Sequence, residues 1–342
     1  MSTSGPRGAP LHRALPLLAL LLSTSVLAEA QGVGFRELTM KDPVGGGAMG
    51  GLVFYPAAQL SQPLPVGLWL VDAGRDLEPV PGRYPLVLIS HGHGGDRWGH
   101  HDFATALARE GFIVASLNHP GASFKDSNGP AASTDEVWLG RAWHMKTLLD
   151  TVLADPTVGA SVDPGRVGAL GFSAGGYTVL LLAGAKPDLG RLERYCKTRK
   201  QAVLCGMLPK VRATRPDLQA TAEPRVRAVF SMAPVGVFFD KARLKDVKVP
   251  VRLYAAAKDE VLPVADHAGH VRASLPTPPE YTLVPRAGHY VFLAPCTPES
   301  KDEAQELCMD PPGVDRVKLH RELATDAVRF FTRTLAAAPA KP

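Results

Sequence analysis

The feature that most constrains this chain is Gly171-Phe172-Ser173-Ala174-Gly175-Gly176, set between the apolar run 166–170 and a second apolar stretch over 174–183. The first run has the length of a buried strand and the second that of a helix. Between them a serine sits among glycines, as a tight strand-to-helix turn without room for side chains requires. A serine so placed projects its hydroxyl above the sheet edge, beside the positive end of the next helix. The strand and helix on either side separate such a nucleophile elbow from a mere glycine-rich turn.

The alternation recurs along the chain. Runs 51–55, 66–71, 84–90, 112–117, 226–231, 249–255 and 280–284 read as strands, and 103–110, 138–153, 265–274 and 315–336 as helices. Several strands are continuously apolar, as strands buried on both faces are. The pattern predicts an α/β fold, a mostly parallel central sheet with helices on both faces. With 342 residues, 45% of them hydrophobic and 21% charged, residues 31–342 are expected to form one such domain. Residues 186–223 break the rhythm and read as a small cap-like insertion. Its basic side chains, Arg191, Arg194, Lys197, Arg199, Lys200, Lys210, Arg212 and Arg215, read as solvated surface, with contact to an anionic substrate as the alternative.

A serine hydroxyl is inert at neutral pH without a base, and the base needs an acid to orient it. After an elbow of this kind the acid follows a late strand and the histidine follows the last one. Asp259 closes the strand run 249–255, and His289 follows the final strand run 280–284. Glu260 is the nearest rival to Asp259. Asp163, ahead of Pro164-Gly165, reads instead as a turn residue. The loop after strand 84–90, His91-Gly92-His93-Gly94-Gly95, is where such a site takes its second oxyanion donor. The amides of Ala174 and His93 are therefore expected to form the oxyanion hole, with Gly92 or Gly94 as possible replacements for His93. His91, His93, His100 and His101 cluster with Asp96 and Asp102, but not at the spacing of a hydrolytic zinc site, so no metal is assigned. His119, His144, Trp98, Trp138 and Trp143 read as packing or pocket-wall residues, and His320 as a surface residue.

Arg7 and Arg13, the apolar run 14–28 and Ala28-Glu29-Ala30 have the order of a secretory signal peptide spanning 1–30. The run is shorter than a membrane-spanning helix needs, so an exported, periplasmic or secreted protein without a stable membrane anchor is expected. Cleavage after Ala30 lowers the net charge from +5 to +4. Mild basicity without a nucleic-acid motif excludes nucleic acid as the expected partner. Four cysteines in an exported chain suggest two disulfides. Of three connectivities, the local pairs Cys196 with Cys205 and Cys296 with Cys308 are preferred, because short loops close at the lower entropic cost.

Ser90-His-Gly-His-Gly-Gly95, Gly171-Phe-Ser-Ala-Gly-Gly176, Lys258-Asp-Glu-Val-Leu-Pro263 and Ala287-Gly-His-Tyr-Val-Phe-Leu-Ala-Pro-Cys296 together resemble an α/β-hydrolase group. That group is related to platelet-activating-factor acetylhydrolase and often labelled predicted dienelactone hydrolases. The resemblance runs over about residues 84–335 and favours the exported bacterial branch and the Cys296 to Cys308 bridge. It implies an α/β-hydrolase fold and a serine esterase, for short acyl or lipid-like esters, and adds no cofactor. Dienelactone hydrolases proper use a cysteine nucleophile, and Ser173 here puts a dienelactone substrate in doubt. The expected partner is a small-molecule or polymer ester met by a monomer. The rival readings are a serine peptidase of the same fold and a non-catalytic binding protein.

Overall fold

In chain order the strands are β1 (Gly32–Lys41), β2 (Ala48–Ala57), β3 (Pro63–Val66), β4 (Trp69–Asp72), β5 (Gly74–Arg75), β6 (Tyr84–Ser90), β7 (Ile113–Leu117), β8 (Val162–Phe172), β9 (Val226–Met232), β10 (Val251–Ala256) and β11 (Glu280–Val284). The helices are α1 (His101–Arg109), α2 (Thr134–Ala154), α3 (Ala174–Leu182), α4 (Leu189–Thr198), α5 (Val203–Gly206), α6 (Lys241–Leu244), α7 (Ala268–Ser274), α8 (Gln305–Cys308) and α9 (Arg316–Thr334). This computed structural model describes residues 1–5, 30–124, 133–206 and 215–336. Most of the expected signal segment, residues 207–214 of the expected insertion and the tail after 336 lie outside the described residues.

Nine strands form one sheet in the order β11-β10-β9-β8-β6-β7-β2-β1-β5. The six from β11 to β7 are parallel, while β2 pairs antiparallel with both β7 and β1. The period-2 alternation of a strand sends its side chains to two faces. Leu86 and Leu88 of β6 join the core under α2 and α3, whereas Val87 and Ile89 join the core under α1 and α9. Both faces of the sheet are therefore dry, which is why these strands read as unbroken apolar runs.

Helix α2 starts where Ser133 accepts from the Glu136 amide and the Glu136 carboxylate accepts from the Ser133 amide, a reciprocal capping box. Helix α1 stops before Gly111, whose φ of +79° suits glycine. The expected strand over 66–71 is instead the hairpin of β3 and β4, which pair antiparallel across Gly67 at φ +54°. The chain reverses at a left-handed position that the apolar run concealed. Strand β1 was not anticipated either. It is ten residues long and mixes exposed with buried positions, so it lacks the all-apolar signature of the central strands.

His320 is not a surface residue. It is 3% exposed, its Nε2 donates to the Val291 carbonyl (2.8 Å) and its Nδ1 meets Asp102 (2.5 Å). An oxygen thus faces each ring nitrogen. Burial by itself would raise the Asp102 carboxyl, but the His320 charge and hydrogen bond more than offset it and hold it at about 2. The pair ties α9 and α1 to the segment following residue 289. Helical spacing placed His320 on α9 without revealing which face of that helix packs on α1.

Candidate active site

Strand β8 ends at Phe172 and α3 begins at Ala174, leaving Ser173 alone to make the turn. Its backbone takes φ 57° and ψ −117°, a conformation costly for any residue with a side chain. The neighbouring glycines are sterically required. A Cβ at Gly171 would lie 2.2 Å from the Gly175 carbonyl oxygen, and one at Gly175 only 1.8 Å from that of Ser90. The turn is held by the Ser173 amide donating to the Met232 carbonyl (2.9 Å) and by the Ser173 carbonyl accepting from Tyr177 (3.1 Å).

His289 opens a short 3-10 turn, His289–Phe292, beyond β11. Its Nε2 stands 3.0 Å from the Ser173 Oγ and its Nδ1 2.8 Å from the Asp259 Oδ2. The other Asp259 oxygen accepts from the amides of Val261 (3.1 Å) and Leu262 (2.6 Å). With one oxygen committed, the second is aimed at the imidazole. A carboxylate accepts only, so His289 carries its proton on Nδ1 and leaves Nε2 to accept from the serine. Glu260 does not compete for the ring, because its carboxylate accepts from the His289 backbone amide (3.3 Å). Asp163 binds the Gly165 amide and the Arg166 Nε, within its own turn.

The loop after β6 packs against the elbow, with a Cβ built on Gly92 falling 3.3 Å from the Ser173 Cβ. The Gly94 amide is spent on the Ala122 carbonyl (2.9 Å) and the Gly95 amide on that of Gly92 (3.2 Å). Gly94 is thereby removed as an oxyanion donor, while the His93 and Ala174 amides meet no acceptor among the described residues. Burial, and then the charge of Arg141, push the His93 imidazole below its ordinary range.

The remaining histidines of the loop are dispersed. His91 Nδ1 donates to the Gly92 carbonyl (2.6 Å), and its Nε2 accepts from the His119 amide (3.0 Å). His100 stands edge-on to Phe103 and Phe172, while His101 lies against Trp69. No group of three or more His, Cys, Asp or Glu side chains among the described residues is arranged to hold a metal.

The cavity over Ser173, of about 30 Å³, is walled by Trp138, Leu204, Val235, Val261, Leu262 and Tyr290. Leu204 lies on α5, between α3 and β9, and the Cys196–Cys205 disulfide ties α5 to α4. The second disulfide joins Cys296 to Cys308, linking the stretch after His289 to α8. Sequence reasoning did not mark Leu204, Val261, Leu262 or Tyr290 as cavity walls, although the last three sit beside Asp259 and His289 in the quoted motifs, because which side chains meet over Ser173 depends on contacts between segments far apart in the chain. Arg141 was missed as well. Its only trace is that it shares helical spacing with Trp138, Ala142 and Met145 on an apolar face.

The fold can be compared with solved structures. A ferulic acid esterase from Streptomyces cinnamoneus superposes with a TM-score of 0.62 over 93% of this chain and 95% of that one, at 19% identity. The chain has the α/β-hydrolase fold. Residues 65–138 match the family described as platelet-activating factor acetylhydrolase, isoform II. That stretch includes the loop after β6 but ends ahead of Ser173. Lipase 1 of Moraxella sp. (strain TA144) is 38% identical over 77 residues, 22% of this chain. The chain spans about a fifth (20%) of that lipase.

Proposed function

We propose that this chain is a serine hydrolase that cleaves carboxylic esters, with Ser173 as nucleophile, His289 as base and Asp259 as the orienting acid. The observation that carries the reading is the unbroken row from Asp259 through His289 to the Ser173 hydroxyl, at 2.8 and 3.0 Å, on a strained turn at a helix start. The names of the similar lipase and ferulic acid esterase, both ester-cleaving enzymes, support it.

Ser173 Oγ bonds to the ester carbonyl carbon as His289 Nε2 takes its proton, and the amides of Ala174 and His93 stabilise the oxyanion. His289 then gives that proton to the leaving alcohol as the carbon–oxygen bond breaks. Water, deprotonated by the same nitrogen, releases the acid and restores Ser173. The small apolar cavity favours a short acyl group or the first carbons of a lipid-like one. The basic, apolar and small-x-small order of residues 1–30 supports export to the periplasm or beyond.

The test is hydrolysis of p-nitrophenyl esters from acetate to palmitate by the chain from residue 31, beside Ser173→Ala. Activity abolished in the variant supports the reading. Activity on no ester, or activity that survives the substitution, sinks it in favour of a peptidase or a binding protein.

A further inference from the structure

Arg141, in the middle of α2, is the largest fully buried side chain among the described residues, with 0% exposure. A buried arginine ordinarily faces a carboxylate. Here no carboxylate of the described residues lies within ion-pair distance of it. Its Nε donates to the Thr178 hydroxyl (2.8 Å), and its Nη2 to the Ser90 hydroxyl (3.2 Å) and to the His91 carbonyl. Its Nη1 has no acceptor among the described residues.

Those partners lie within four residues of His93 or Ala174, which both line the cavity over Ser173. Ser90 ends β6, and His91 opens the loop that carries the His93 amide. Thr178 lies one turn into α3, and its hydroxyl donates to the carbonyl of Ala174 (2.8 Å), the residue assigned the other oxyanion amide. One planar guanidinium thus spans both donors of the expected oxyanion hole, and its fork geometry fixes their separation as an ammonium would not. The field of Arg141 also reaches the site, since its charge contributes to keeping the His93 imidazole neutral. An uncompensated cation behind two amide donors favours an anion in front of them.

We propose that Arg141 is the positioning residue of the oxyanion hole, clamping the His91 carbonyl to the Thr178 hydroxyl and biasing the site with uncompensated positive charge toward the tetrahedral anion. The inference rests on Ser173 being the nucleophile.

It is tested with Arg141→Met, Arg141→Lys and Thr178→Val by two readouts: kcat and KM on p-nitrophenyl acetate, and the rate at which a fluorophosphonate labels Ser173. Arg141→Met is expected to lose about 100-fold in kcat and in labelling rate, the scale of a lost oxyanion donor, with KM within about threefold. Arg141→Lys should recover about tenfold of that, because the charge returns without the fork. Thr178→Val changes little volume, and should lower kcat about fivefold at unchanged KM even if Arg141→Met does not fold. Unchanged kcat and labelling in Thr178→Val and Arg141→Lys, or losses confined to KM, overturn the proposal. A parent chain that is labelled at Ser173 but cleaves no ester refutes the ester reading alone, and the labelling rates still judge Arg141. A parent that is not labelled refutes both.

Discussion

Replacing Asp259 by Asn separates orientation from folding. The Oδ1 of Asp259 accepts from the Val261 and Leu262 amides, and Asn has a single oxygen to offer. Those two bonds hold that oxygen in place, so the new NH2 group falls 2.8 Å from His289 Nδ1, where the carboxylate oxygen stood. An NH2 donates, and His289 must then carry its proton on Nε2 and accept at Nδ1. The nitrogen 3.0 Å from the Ser173 hydroxyl can no longer take a proton. A wrong tautomer of this kind costs about 10⁴-fold in kcat, or roughly 5 kcal/mol at about 1.4 kcal/mol per factor of ten. Because the two amides remain satisfied, the urea midpoint should stay near that of the parent. Glu260→Gln is the control, since its oxygen still accepts from the His289 amide, and its kcat should hold within a few-fold. The assay is single-turnover acylation with p-nitrophenyl acetate. Asp259→Asn within tenfold of the parent, or Glu260→Gln as the more damaging change, would refute the tautomer argument.

Three further outcomes are expected. Gly175→Ala puts a methyl 1.8 Å from the Ser90 carbonyl oxygen, with backbone on both sides, and should cost about 3 kcal/mol or more by urea unfolding; a stable, active variant would contradict it. Leu204→Ala enlarges the cavity over Ser173, and the ratio of kcat/KM for butyrate over acetate should rise about tenfold; an unchanged ratio would mean that α5 does not bound the acyl group. Burial holds the His100 imidazole at about 4 and that of His267 at about 3, both below the ordinary value near 6.5. Between those limits the unfolded chain binds protons that the folded one refuses, so stability is complete above about pH 6.5 and falls on acidification, by on the order of 3 kcal/mol for His100 by pH 4. Urea midpoints that do not move between pH 7 and pH 4.5 would refute it.

Short-range chemistry made part of this protein legible. Gly171 and Gly175 announce a turn without room for side chains, and the apolar runs around Ser173 supply its strand and helix. The central strands were readable because both of their faces are dry. Strand β1 and the hairpin of β3 and β4 were not, since their partial exposure and the left-handed Gly67 leave no such pattern. His320 illustrates the same limit, because the spacing that assigns a residue to a helix does not say which neighbour covers it.

The sequence by itself determined the α/β alternation, the elbow and the order in which Ser173, Asp259 and His289 occur, since each depends on local pattern and on position relative to strands. Tertiary structure alone decided what those residues meet. Asp259 rather than Glu260 faces the imidazole because the Val261 and Leu262 amides hold one of its oxygens, and Gly94 is spent on Ala122 across a loop. Leu204 reaches the Ser173 cavity from the segment between α3 and β9, and Arg141 joins Ser90, His91 and Thr178 from three separate elements. Hydrogen bonds and cavity walls depend on distances between remote segments, and those distances exist only once the chain has folded.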